Sequence, residues 1–512
     1  LLAALCWSFI AARVLRPLQA AGAHFRRIAA GDLSVPVTVS SSNEIGQLFA
    51  ELQRMQHSQR DTLSQITACA TQLASAAQAL DSVTVSGARE SASTRLQLTA
   101  RETPQSVSTV NRAQIERQSL TSIDAVLRNV NGIAVSFYDT QRPLYYARGF
   151  QITDFQIDGL PSYSSSTNQE FDTALYERID IVRGANGLLG GTGDPSATVN
   201  LIRKAPTKTF GGSAYATYGS WDKRRLGADL NLPLSEDGRL RSRFVMTQQD
   251  ANSFRDNQSE RSRAALANFE FDLDDATTLG AGYQYEYNKV VGGGWGANIP
   301  IWYRDGSKTD LPRSTNVVPS WSFGEYTTRT AFGSLEHRFD NDWTLDLKAA
   351  QATTEALNHR GLAKVNSAGR GSYGGYWDQD GSGAVLNGLH SSSDTTQQSA
   401  QIDLSGPFQL FGRTHQAMVG YNDSRTVAWS PEYTCNMVSD GRVSAAALGC
   451  QFRANNGFPL TDWRNGVDDD YDMIASRTGR HSKTTTRLQG MYAATRLSIT
   501  DPLSVIVGVR TS

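Results

Sequence analysis

The sequence predicts a mainly β protein: a transmembrane antiparallel β-barrel over residues 211–512, preceded by a small α+β unit and, before residue 81, by helices. Three observations carry this. Roughly eleven segments of about 10 residues alternate apolar and polar side chains, which is the period of a strand at the length of a tilted membrane crossing. The connections between them alternate between short turns and long loops, as the two rims of a membrane barrel do. Composition also changes at residue 81, from Ala, Gln and Leu to Ser, Thr, Val and Gly.

Residues 1–80 read as helix. The opening run "LLAALCWSFIAA" is cut off by Arg13, short of the ~18 apolar residues of a spanning helix. It lacks the flanks of a cleavable signal, so the first residue is expected to lie inside a longer parent sequence. "RPLQAAGAHFRRIAAGDL" is an amphipathic helix with Pro17 near its start and Gly31 at its end. Beyond it, Ile45, Leu48, Leu52, Met55, Leu63 and Ile66 recur at helical spacing, a stripe that packs on another helix.

Residues 81–100 read as an edge strand and a polar linker, "DSVTVSGARESAS". Over 101–210, a strand, Asn111 and a helix are followed by "LYYARGFQITDFQIDGLP", which alternates and ends in the turn pair Asp158-Gly159. Inside this unit, "RGANGLLGGTGDPS" (183–196) crowds glycines into a spacing that fits neither nucleotide-binding Gly-rich pattern. Tight turns needing positive φ are the simpler reading.

From 211 onward the alternation is regular. In "LGAGYQYEYN", Leu279, Ala281, Tyr283, Tyr285 and Tyr287 share one face, and Gln284, Glu286 and Asn288 the other. The short turns fall at 235–238, 273–276, 340–342 and 500–502, and the long loops at about 289–322, 354–394 and 428–480.

Composition narrows function. The 512 residues carry a net charge of −1, so no global field favours nucleic acid. Seven histidines are scattered without ligand spacing, and neither a protein-built metal site nor an enzyme's catalytic set stands out. Cys435 and Cys450 bracket a polar loop, where an oxidising compartment would permit a disulfide.

Particular motifs add a resemblance. "RPL…AAGDLSVPV…NEIGQL" resembles the HAMP linker of bacterial transmembrane chemoreceptors over about residues 8–66, with Asn43 where Asp is usual. "RETPQSVSTV", "YYARGFQITDFQIDGLP", "YERIDIVRGANGLLGGTGDPSATVNLIRK" and "YGSWDKRRLGADLNLPLSEDGRLRSR" resemble TonB-dependent ferric-siderophore receptors, of the ferric-coprogen and ferric-pyoverdine type. That resemblance implies a plug domain (101–210) inside a barrel of 22 strands, of which about eleven are present here. It implies a TonB box at Asp81, Ser82, Val83, Thr84 and Val85, TonB with ExbB and ExbD as partners, and outer-membrane lipid around the barrel. Iron would arrive already chelated, requiring no resident cofactor.

The same resemblance places Glu177, Arg178 and Arg183 among plug charges that pair with the inner barrel wall. For the chelate, aromatic faces and a few donors are expected: Arg142, Tyr145 and Tyr163 on the plug apex, and Trp295, Trp302 and Tyr303 in a barrel loop. The two resemblances conflict in location. A HAMP linker works at the inner membrane and a TonB box in the periplasm, so the sequence reads as a receptor fragment fused to part of a chemoreceptor. The other reading is an inner-membrane HAMP-containing sensor without transport activity.

Overall fold

The protein is described from a computed structural model over residues 16–29, 32, 34–38, 47–57, 105–138, 142–162, 171–184, 195–294, 299–365, 376–380, 384–437, 441–446, 449–454, 473–501 and 503–511. It divides into two compact units, Leu1–Ala88 and Arg89–Ser512.

In the first unit, helix α1 (Arg16–Ala29) and helical residues 47–57 bury Ala21, Val37 and Leu52 together, with Leu48, Phe49 and Met55 packed against them. The predicted stripe is thus the buried face over Leu48, Leu52 and Met55. Gln56 is buried in the same place, accepting from the Val37 amide (3.2 Å) and donating to the Val35 carbonyl (2.7 Å), which satisfies two backbone groups of residues 34–38. Among the described residues no helix is long and apolar enough to cross a membrane, which says nothing of strands.

The second unit begins with the α+β plug. Its five-stranded sheet runs in the order β1 (Ser106–Asn111), β7 (Tyr176–Arg183), β8 (Ala197–Arg203), β5 (Asp154–Ile157), β6 (Leu160–Pro161). A smaller sheet holds β2 (Ile133–Phe137), β3 (Pro143–Ala147) and β4 (Phe150–Gln151). Asn111 ends β1 and caps the helix Arg112–Arg117 (α2), its side chain accepting from the Gln114 amide. In the next helix, Ile123–Arg128 (α3), Ile123, Val126 and Leu127 sit at i, i+3, i+4 and are buried against Ile179, Ile181, Val199 and Leu201 of the sheet. Of the glycine stretch, Gly184 is described: its φ of +113° is a conformation that side-chain-bearing residues avoid, and a Cβ would lie 2.9 Å from Arg148.

Eleven strands then pair in chain order, every neighbour antiparallel: β9 (Gly211–Gly219), β10 (Lys223–Pro233), β11 (Leu240–Asn252), β12 (Ser259–Asp272), β13 (Thr277–Val291), β14 (Phe323–Arg338), β15 (Thr344–Val365), β16 (Ala384–Leu410), β17 (Arg413–Met437), β20 (Met473–Ser498) and β21 (Ser504–Thr511). A hairpin, β18 (Gly441–Ala446) and β19 (Gly449–Ala454), joins the sheet through β16. β9 and β21 are its edges.

The strands differ from expectation in length. β15, β16, β17 and β20 have 22 to 27 residues, so they run far past the ~10 needed to cross the bilayer and take in much of what the sequence suggested was loop. Alternation identifies the lipid-crossing part; outside it both faces of a strand meet water or protein and the pattern fades.

The sheet curves round the plug. Val245, Ala264 and Leu266 on its inner face join the plug's own core cluster. Gly282 makes room on that face: a Cβ there would lie 2.3 Å from the Phe332 ring and 2.7 Å from the Ala267 carbonyl oxygen. Gly282→Val is therefore expected to destabilise the unit by about 1–3 kcal/mol through overpacking, read by denaturant unfolding in detergent.

Candidate functional site: plug, wall and lumen

The inner barrel wall holds the plug through buried ion pairs. Asp172, just ahead of the 3-10 turn Thr173–Leu175, accepts from Arg225 of β10 at 2.6 Å and from the Thr247 hydroxyl of β11 at 2.8 Å. Its own amide donates to Glu286 of β13 at 3.1 Å. The Arg225 and Asp172 side chains are 4% and 8% exposed. One plug residue is thus tied to three wall strands.

Two further groups lie where β8 runs out toward the barrel. Arg203 pairs with Asp158 at 2.6 Å, donates to Gln284 of β13 at 2.6 Å, and lies 4.0 Å above the Phe332 ring of β14. Gln284 in turn donates to the Tyr176 hydroxyl (2.8 Å), whose ionisation burial pushes well above the usual phenol range. Lys204 meets Asp229 of β10 at 2.7 Å, and Arg243 of β11 meets the same carboxylate at 2.9 Å. Burial lowers the Lys204 ammonium pKa, opposed by its bond to Asp229.

Of the plug charges singled out in the sequence, Glu177 lies 3.6 Å from Arg243 on the wall. The other two are corrected. Arg178 pairs with Asp180 on its own strand at 3.1 Å, and Arg183 donates to the Ser106 hydroxyl and the Asn131 carbonyl, all within the plug. Arg178 points to the opposite face of β7 from its neighbour Glu177, and Arg183 lies at the far end of the strand, beside Ser106 and Asn131.

Beside the plug apex, a cavity of about 270 Å³ opens between β6 and strands β13 to β16. Ser162, Phe171, Tyr287, Tyr326, Asn358 and Gln397 contribute to its lining, so aromatic faces alternate with hydroxyls and amides. Arg360 donates to the Tyr326 hydroxyl and to Asn358, each at 2.8 Å; its Nη1 is buried with no hydrogen-bond partner among the described residues.

The residues chosen from sequence for the chelate are placed differently from one another. Arg142 precedes β3 with its guanidinium 4.4 Å above the Tyr138 ring. Tyr145 is corrected: it is 5% exposed and packs edge-on against Phe155 in the plug core, because alternation along β3 turns it inward. Trp302 is half exposed, in a small turn closed by its bridge to Lys308, whereas Tyr303 beside it is buried. Tyr163, Trp295 and the segment 81–85 lie outside the described residues. The register sets Cys435 opposite Ala475 and Cys450 opposite His390, and their side chains lie outside those described. The cavity's wall residues were missed, although the polar face of β13 pointed to them.

An α+β plug inside a curved antiparallel sheet, short turns on one rim and long extensions on the other, is the architecture of a plugged outer-membrane receptor. Comparison with known proteins agrees. Residues 99–198 match the TonB-dependent receptor plug domain and residues 9–61 the HAMP domain. The chain is 36% identical over 424 residues to the ferripyoverdine receptor of Pseudomonas aeruginosa, covering 81% of this chain and 48% of that one. Over 429 residues it is 33% identical to the ferric-pyoverdine 358 receptor of Pseudomonas putida, covering 82% and 49%. The solved FpvAI–pyocin S2 complex matches at TM-score 0.73 and 34% identity, over 82% of this chain and 54% of that one. A methyl-accepting chemotaxis protein, PcaY of Pseudomonas putida, is 53% identical over 201 residues, 39% of this chain and 35% of its own. The chain spans about half the length of the curated receptors it matches.

Proposed function

We propose that the plug and barrel take part in TonB-dependent uptake of a ferric siderophore of pyoverdine type across the outer membrane. The observation that carries this reading is a buried set of ion pairs binding plug to wall beside a cavity of tyrosine, hydroxyl and amide groups. A chelate that is scarce must be caught tightly, and a membrane without ATP must receive work from elsewhere. The segment 81–85 would pair as an added strand with TonB, energised through ExbB and ExbD, and transmit the pull into the plug.

Ion pairs suit such a device because they are directional and can separate one after another, with water replacing each lost partner. Iron comes inside its own chelate, so the protein's task is recognition rather than ligation or catalysis. Arg142 and Trp302, with Tyr163 and Trp295, are assigned to that recognition alongside the lining groups Tyr326 and Asn358, which Arg360 holds in place. The test is accumulation of labelled iron supplied as ferric pyoverdine by cells whose only source of these plug and barrel residues is this chain. Uptake that vanishes without TonB supports the proposal, and none in its presence contradicts it.

A further inference from the structure

The long-loop side of the barrel carries a feature that siderophore recognition does not use. His359 of β15 and His390 of β16 are register partners, and their Nδ1 atoms lie 3.2 Å apart, one donating to the other. They stand on the outer face: Ala352, Thr354, Ala356 and Asn358 on β15, and Ser393, Thr395 and Gln397 on β16, line the lumen cavity, so side chains of opposite parity face away from it. On the outer face of β15, Leu345, Leu347 and Ala349 are followed by Gln351, Thr353 and Glu355, and the ~10 residues that cross the bilayer from the short-turn rim end near Thr353. His359 lies six residues past Thr353, about 15 Å farther along the barrel axis at the tilt usual for barrel strands.

We infer that His359 and His390 form a binding site for a divalent first-row transition-metal ion of the zinc class, outside the bilayer on the long-loop side. Two imidazole nitrogens held about 2.0–2.1 Å from one zinc ion at a tetrahedral angle are separated by about 3.3 Å. The observed 3.2 Å therefore lets a metal replace the shared proton after a small rotation of the rings. The pair is built in rather than loose. Trp321 packs on His359 with ring centres 4.9 Å apart, and Tyr433 lies edge-on to His390 at 5.3 Å. Gly361 admits the Trp321 ring, since a Cβ there would lie 2.4 Å from it.

The surroundings also set the affinity. Arg477 donates to Ser392, two residues along β16 from His390, and brings positive charge near the pair. That charge favours neutral imidazoles, the form that binds metal, yet opposes a dication, so micromolar rather than nanomolar binding is expected. Solvent would complete the coordination. The site would fasten β15 to β16 at the base of the loop that joins them.

The test is competition for zinc between the whole chain in detergent micelles and a chromophoric chelator, with magnesium as the control ion. The expected result is one zinc-specific site per chain whose affinity falls at least about tenfold in His390→Gln, no less than the loss of an outer-shell partner brings, and which is absent from the doubly substituted His359→Gln/His390→Gln chain. His481→Gln should leave it unchanged. Zinc-edge X-ray absorption of the unsubstituted chain gives a readout independent of the variants' folding, and scattering from two imidazoles is expected. Zinc binding that survives the double substitution, or a spectrum without imidazole, overturns the assignment.

Discussion

Asp172→Ala is expected to destabilise the plugged unit by about 3–5 kcal/mol, because it strands the buried Arg225 guanidinium without its counter-charge. Thr247 loses its acceptor in the same step, and the turn Thr173–Leu175 loses the cap that the Ala174 amide donates to. The measurement is denaturant unfolding in detergent, followed by protease sensitivity of the plug. Replacing both members, Asp172→Leu with Arg225→Met, should cost much less than the single change, since no charge is left buried alone. If the single and double variants unfold alike, the pair does not hold the plug.

Asp229→Ala has the second large effect. It leaves Lys204 and Arg243 facing each other with no carboxylate between them, and a loss of similar size, about 3–5 kcal/mol, is expected. This variant also has a signature in pH. Burial already lowers the Lys204 pKa in the native protein, and removing Asp229 takes away the group that opposes this. The folded variant should then release the Lys204 proton at a pH where the unfolded chain, near 10.4, still holds it. The unfolded state binds more protons across that window, so the variant's stability should rise with pH up to about 10.4 and level off above it. Unfolding midpoints across the alkaline range read this directly, and a flat profile would show that Lys204 stays charged.

The sequence made some of this legible for clear physical reasons. A lipid-crossing strand must turn apolar residues outward at every second position, so the eleven strands and their short-turn rim could be read from alternation alone. The extracellular lengths of β15, β16, β17 and β20 could not, since water on both faces imposes no such pattern. Site residues were harder. Tyr145 looked like a binding aromatic and is a core one, because β3 buries alternate residues against Phe155. Arg225 and Asp172 are 53 residues apart, and nothing local to either names the other. One available signal went unused. Arg225 and Asp229 on β10, like Arg241 and Arg243 on β11, recur at even spacing on the lumen face, where charge is tolerated only against water or a plug.

Recognition of a ferric siderophore of pyoverdine type in the lumen, as proposed above, is open to direct measurement. Titration of its tryptophan fluorescence with ferric pyoverdine, against ferric coprogen and ferrioxamine, tests it most directly. Saturable quenching by ferric pyoverdine is expected, weakened by Arg360→Ala, which releases Tyr326 and Asn358 in the cavity lining, and by Trp302→Ala in the loop. Absence of saturable quenching by all three chelates would contradict it.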